Sequence, residues 1–182
     1  MGAQTTGFWL SPQQERLWKE TAHPSGSLRS QCVIRLGGAL QASQLRSALE
    51  KLTERHEILR TMFVPHPGMK VPFQVVLDSC EPEWIAMDFS SRKEDDRNTQ
   101  VEGMRRSAWN AAADLAQGPV LHAAFAKLTD TSYWLVLTLP GACADAQSLR
   151  LLVAELAAFY GGIEHTLVEE PLRYAQFAQW HK

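Results

Sequence analysis

The residues best placed to do chemistry lie on a short loop, Pro140-Gly141-Ala142-Cys143-Ala144-Asp145-Ala146, between the apolar run Leu137-Thr138-Leu139 and an amphipathic segment opening at Asp145. Many acyl transferases carry a histidine-based centre on a loop of this kind. An imidazole there orients an attacking amine or takes its proton near neutral pH, which contributes about 10²–10⁴-fold to rate. This loop holds no histidine. It offers one carboxylate (Asp145), one thiol (Cys143) and, at Gly141, backbone alone. Pro140 removes an N–H and fixes φ, which predicts a different loop path. Cys143 precedes a helix, and a thiolate is a nucleophile where a base or a helix N-terminus lowers its pKa. With no histidine close in sequence, Cys143 reads as a small buried cysteine. His56 falls on a long helix, His66 in a turn and His122 on a strand, and no pair has metal-ligand spacing. No metal is expected.

The elements that must position this loop follow from periodicity and capping. Ser11-Pro12-Gln13-Gln14 is a helix start: Ser11 is the N-cap, Pro12 suits the first helical position, and Gln14 stands where a capping box takes Glu or Gln. That helix runs through Leu17 and Trp18 towards His23, with a loop over Pro24-Ser25-Gly26-Ser27. A strand is expected over 31–36, ended by Gly37-Gly38. Leu45, Leu49, Leu52, His56 and Leu59 recur at helical spacing and predict a helix over 42–61. Segments 62–64 and 73–77 read as a hairpin, and 81–91 as irregular, anchored by Trp84 and Phe89. A helix over 95–115 ends before Gly118-Pro119, its charged surface read as solvated. Strands 120–128 and 132–139 turn at Asp130-Thr131. The second is almost unbroken in apolarity, the pattern of a central strand buried on both faces. A helix over 145–160, with Leu149, Leu152, Val153, Leu156 and Tyr160 inward, stops at Gly161-Gly162. Pro171 opens a short last helix whose Tyr174, Phe177 and Trp180 form an apolar face, an interface candidate.

Composition narrows the class. A chain of 182 residues, 45% of them apolar, can bury a substantial core. The net charge of −2, from 18 basic and 20 acidic side chains with no basic block, gives no nucleic-acid footprint. No apolar run approaches the ~20 residues that span a bilayer, and the N-terminus lacks a secretion signal. Gly2 and Thr6 fit a myristoylation pattern loosely; residues 1–7 read as a flexible start or tag remnant. Cys32, Cys80 and Cys143 are odd in number and show neither a disulfide framework nor metal spacing, so they read as reduced thiols of a cytoplasmic protein. The fold class is α/β, long helices packed on a mostly antiparallel sheet.

The order of these pieces resembles the N-terminal lobe of the condensation domains of nonribosomal peptide synthetases. The opening motif matches Leu10-Ser11-Pro12-Gln13-Gln14-Glu15-Arg16-Leu17-Trp18. The second matches Leu45-Arg46-Ser47-Ala48-Leu49 through Arg55-His56-Glu57-Ile58-Leu59-Arg60-Thr61-Met62-Phe63. Asp114-Leu115 with Gly118-Pro119-Val120-Leu121 is similar to the segment before the family's central strand, and Pro171 to Trp180 to the helix that leads into its C-terminal lobe. The resemblance covers residues 8–182 and implies half of a chloramphenicol-acetyltransferase-like fold, a fragment of a larger synthetase, with a tunnel for two carrier-protein phosphopantetheine arms. The family's catalytic loop, His-His-x-x-x-Asp-Gly, falls on Pro140 to Ala146, where both histidines and the glycine are absent and Asp145 alone remains. Heterocyclising relatives use two aspartates and a serine; Asp145 and Ser148 match, but the first aspartate falls on Pro140.

From the resemblance, Asp145 is expected to be structural, in a buried pair with Arg60, and His56 to be a hydrogen-bonded structural residue. No catalytic residue is assigned. No cofactor is expected to bind directly, beyond a visiting phosphopantetheine arm. The expected partners are adjacent adenylation or carrier domains and a trans-acting tailoring enzyme. Three readings follow: a non-condensing scaffold or recruitment lobe, the N-lobe of an active acyltransferase working by substrate positioning alone, and a remnant packed on an adenylation domain through the aromatic helix.

Overall fold

The protein is seen here in a computed structural model that describes residues 7–21, 28–111, 115–167 and 170–180. In chain order it forms β1 (Gly7–Phe8), α1 (Pro12–Thr21), β2 (Arg29–Gly37), α2 (Ala42–Arg55), a 3-10 turn (Glu57–Arg60), β3 (Thr61–Val64), β4 (Phe73–Val76), β5 (Glu83–Asp88), α3 (Glu94–Asn110), β6 (His122–Thr129), β7 (Ser132–Pro140), α4 (Ala146–Gly161), a second 3-10 turn (Glu164–Thr166) and α5 (Tyr174–Trp180).

The apolar run ending at Leu139 becomes β7, an inner strand of a four-stranded sheet of order β2-β7-β6-β5. Its register with β2 runs antiparallel from Arg29 opposite Pro140 to Gly37 opposite Ser132. Successive side chains of a strand point to opposite faces, and both faces here are covered. Leu135, Leu137 and Leu139 pack with Leu45, Leu49 and Leu52 of α2 and Leu149, Leu152 and Leu156 of α4. Val136, with Ala124 and Ala126 of β6, meets Val101 and Met104 of α3. A smaller sheet, β1-β4-β3, is antiparallel throughout. The fold is α/β with mostly antiparallel pairing, as the periodicity predicts.

Four expectations change. Segment 81–91 is not irregular: it contains β5, which pairs parallel with β6 from Glu83 opposite His122 to Asp88 opposite Lys127. Trp84 stacks on Phe125 at 5.5 Å between centroids, so the expected anchor holds a strand rather than a loop. The helix expected over 42–61 ends at Arg55, because His56 turns to an extended backbone (φ −104°, ψ 105°) before the 3-10 turn. The helix expected over 95–115 spans Glu94–Asn110. Gly7, placed in a flexible start, lies in β1 and pairs with Val75 of β4. Residues 1–6, the loop over 24–27, and His23 and Asp114 lie outside the described residues.

Candidate functional site

β7 and α4 bracket the 140–145 loop. Its backbone is tied at three points. Gly141 N–H donates to Leu28 O (2.7 Å), Gln14 Nε2 to Ala142 O (3.1 Å), and Ser30 Oγ to Ala144 O (2.7 Å). Within the loop, the N–H groups of Cys143 and Ala144 donate to Pro140 O at 2.9 and 3.2 Å. A Cβ added at Gly141 would lie 3.0 Å from Leu28 O and 3.2 Å from Leu28 Cβ. Any side chain at 141 therefore forces the Leu28 main chain to give.

Asp145 is the N-cap of α4, and its Oδ1 accepts both the N–H and the hydroxyl of Ser148, each at 2.7 Å. Those bonds, the N–H first, hold its carboxyl below the ordinary value. The structure does not bring Asp145 to Arg60. Arg60 Nη1 donates to Leu77 O and Nη2 lies 4.0 Å from Glu57. The expected buried pair fails because Asp145 is exposed and satisfied by its own helix, while Arg60, at the end of its 3-10 turn, reaches the residue that follows β4.

The buried ion pair lies elsewhere. Glu155 of α4 accepts Arg55 Nε at 3.1 Å, and the same oxygen lies 2.6 Å from His56 Nε2, with 8% of the Glu155 side chain exposed. Sequence reasoning missed Glu155, although its place three residues beyond Leu152 on the inward stripe of α4 was a readable signal. The turn at His56 carries its ring towards this carboxylate. Cys143 is buried, and burial pushes its thiol up to about 12. His66 is exposed beside Pro67, and His122 pairs with Glu83 at the β5–β6 edge; neither reaches the loop. Among the described residues, no three His, Cys, Asp or Glu side chains are grouped to hold a metal ion.

Beside the loop opens a cleft of about 610 Å³, walled by Gln13, Leu17, His56, Ile58, Leu151, Leu152, Glu155, Tyr174 and loop residues 141–145. A second cleft of about 490 Å³ shares Arg55, His56, Ile58 and Tyr174 with it and reaches Lys51, Arg60 and Arg173. Glu170, Pro171 and Leu172 with Tyr174, the first residue of α5, line one side. Ala175 and Ala178 are the buried residues of α5; Tyr174 and Phe177 are half-buried, and Tyr174 Oη bonds Ser11 Oγ at 2.9 Å. Trp180 alone of the three stands out, 77% exposed. Among the described residues, no helix is long and apolar enough to cross a membrane.

The family model described as Condensation domain matches residues 4–182. Chondramide synthase cmdD of Chondromyces crocatus is 30% identical over 179 residues, which are 95% of this chain and 4% of that protein. The chain thus spans a small part of this curated relative. The SgcC5 protein of Streptomyces globisporus has a TM-score of 0.79 at 23% identity, with 94% of this chain and 41% of that one covered. An X-domain solved in complex with OxyB, from teicoplanin biosynthesis, has a TM-score of 0.76 at 23% identity, with 99% and 39% covered. At these identities the structures establish a shared fold.

Proposed function

The chain belongs to the condensation-domain family, and from that premise we propose that it is a condensation-type N-terminal lobe of a nonribosomal peptide synthetase that does not itself condense. It acts as a scaffold or recruitment platform in peptide natural-product biosynthesis. One observation carries this reading: position 141 is a glycine whose Cβ direction faces the Leu28 carbonyl at 3.0 Å. No imidazole stands at the position the resemblance assigns to the catalytic histidine, and a Cβ there would press on Leu28. The histidine that lines the cleft, His56, is engaged by Glu155. Acyl transfer from a thioester to an amine therefore lacks its usual proton acceptor.

The cleft supports a binding role. Apolar Leu17, Ile58, Leu151 and Leu152 beside polar Gln13 and Ser148 suit an amide-bearing thiol arm, such as the phosphopantetheine of a carrier protein. The partners we propose are adjacent carrier or adenylation domains and a tailoring enzyme acting in trans, a role suggested by the likeness to an X-domain solved with OxyB. A second reading is favoured by the open cleft beside Gly141: an N-lobe of an active domain that accelerates amide or ester formation by positioning alone.

Two measurements on the full chain separate these readings: amide formation from an acyl-carrier and an aminoacyl-carrier, and binding of the loaded carrier or of an adenylation domain. The scaffold reading expects binding without amide above the carrier-only background. Amide formation that disappears in Gly141→Val or Asp145→Ala overturns it in favour of the second reading. Absence of both binding and amide overturns both.

A further inference from the structure

The Gln14 side chain does more than cap a helix. Gln14 and Gln74 are 1% and 0% exposed, and together they form a buried chain of carboxamides. Gln14 Oε1 accepts the Ser11 N–H at 3.0 Å. Its Nε2 then donates to Gln74 Oε1 at 3.0 Å and to Ala142 O at 3.1 Å. Gln74 Nε2 donates onward to Trp9 O at 2.9 Å. The orientation is unambiguous: flipping Gln14 would set its NH₂ against an N–H donor and its oxygen against two acceptors. The chain joins the start of α1, strand β4 and the cleft loop. It comes from α1 while Ser30 Oγ holds Ala144 O from β2.

We propose that Gln14 is a positioning residue for the cleft loop. It holds the 140–145 backbone on its path through Ala142 O, with Ser30 on Ala144 O and the Gly141 N–H on Leu28 O as the other supports. On this view the opening motif maintains the cleft floor from outside the loop. The inference does not depend on whether the lobe condenses. The requirement is physical: a buried carbonyl that loses its donor leaves an unsatisfied acceptor.

Cys143, buried on the loop between the two supported carbonyls, reports on it. The test is the rate of thiol alkylation at Cys143 in the native full chain, with Cys32 on β2 as internal reference. Gln14→Glu keeps the acceptor for the Ser11 N–H and leaves at most one donor, when protonated, for the two acceptors Gln74 Oε1 and Ala142 O. It should speed Cys143 labelling about ten- to hundred-fold relative to Cys32. Ser30→Ala should act in the same direction. Ser11→Ala removes the capping hydroxyl but leaves the Gln14 donors, and should leave Cys143 protected. Equal acceleration at Cys143 and Cys32, no acceleration in Gln14→Glu, or as large an effect in Ser11→Ala would each overturn the proposal.

Discussion

At the scale of single residues, the loop keeps Asp145 for a helix and not for an arginine. Asp145→Ala should cost about 1 kcal/mol through the lost N-cap. Because the Ser148 N–H and hydroxyl hold the carboxyl low, this contribution is fully present above the ordinary aspartate value of about 3.9. It is lost as pH falls through the depressed one. Urea unfolding of both proteins across acidic pH should show the gap closing, and a gap independent of pH would contradict the capping role. Burial raises the Cys143 thiol to about 12. Its contribution therefore runs the other way: stability is complete below the unfolded thiol value of about 8.5 and declines as pH rises towards the native one. Gly141→His should not confer amide formation, since its Cβ would meet Leu28 O at 3.0 Å. A gain of coupling activity in that variant would show that the loop accommodates the imidazole after all.

At the scale of elements, α2 and α4 are locked by one carboxylate as well as by leucines. Glu155→Ala removes the carboxylate shared by Arg55 and the buried His56 and should destabilise the chain by about 1.5–3 kcal/mol. Glu155→Gln, which retains the shape and an acceptor, should cost less. Denaturant unfolding of the two variants gives the comparison, and equal losses would count against the ion pair. α1 was legible in advance because its capping box is local: Ser11 N–H to Gln14 Oε1 at 3.0 Å and Gln14 N–H to Ser11 Oγ at 3.2 Å span three residues. β5 was not legible, because its six residues lack a clean alternation and its pairing with β6 is supplied from across α3. α5 was half legible. Its aromatic spacing was plain, but only packing shows that Ala175 and Ala178 face inward while Trp180 faces solvent.

At the scale of the whole molecule, apolar layers on both faces of β7 carry the 140–145 loop, which contains no histidine. The core depends on apolar packing and an activity on a few side chains, so a shared fold does not by itself fix the activity. Leu137 lies at the centre of those layers, fully buried on β7 between β2 and β6. Leu137→Ala should cost about 2–5 kcal/mol. Trp180→Ser, on the exposed end of α5, should stay within about 0.5 kcal/mol of the parent. Thermal or urea unfolding distinguishes the two. A large loss in Trp180→Ser would mean that α5 braces the lobe more firmly than its exposure indicates.

Read alone, the amino-acid order determined the helices with local caps, the central strand, the family resemblance and the missing imidazole, since each is written in residue types and short spacings. Tertiary structure decided who meets whom. It gave Glu155 to His56 across 99 residues and Ala142 to Gln14 across 128, and it kept Arg60 from Asp145. The reason is that a polar group buried in a low-dielectric interior takes whichever partner the packing of helices and strands sets within about 3 Å, and that proximity is a property of the assembled layers, not of the chain order.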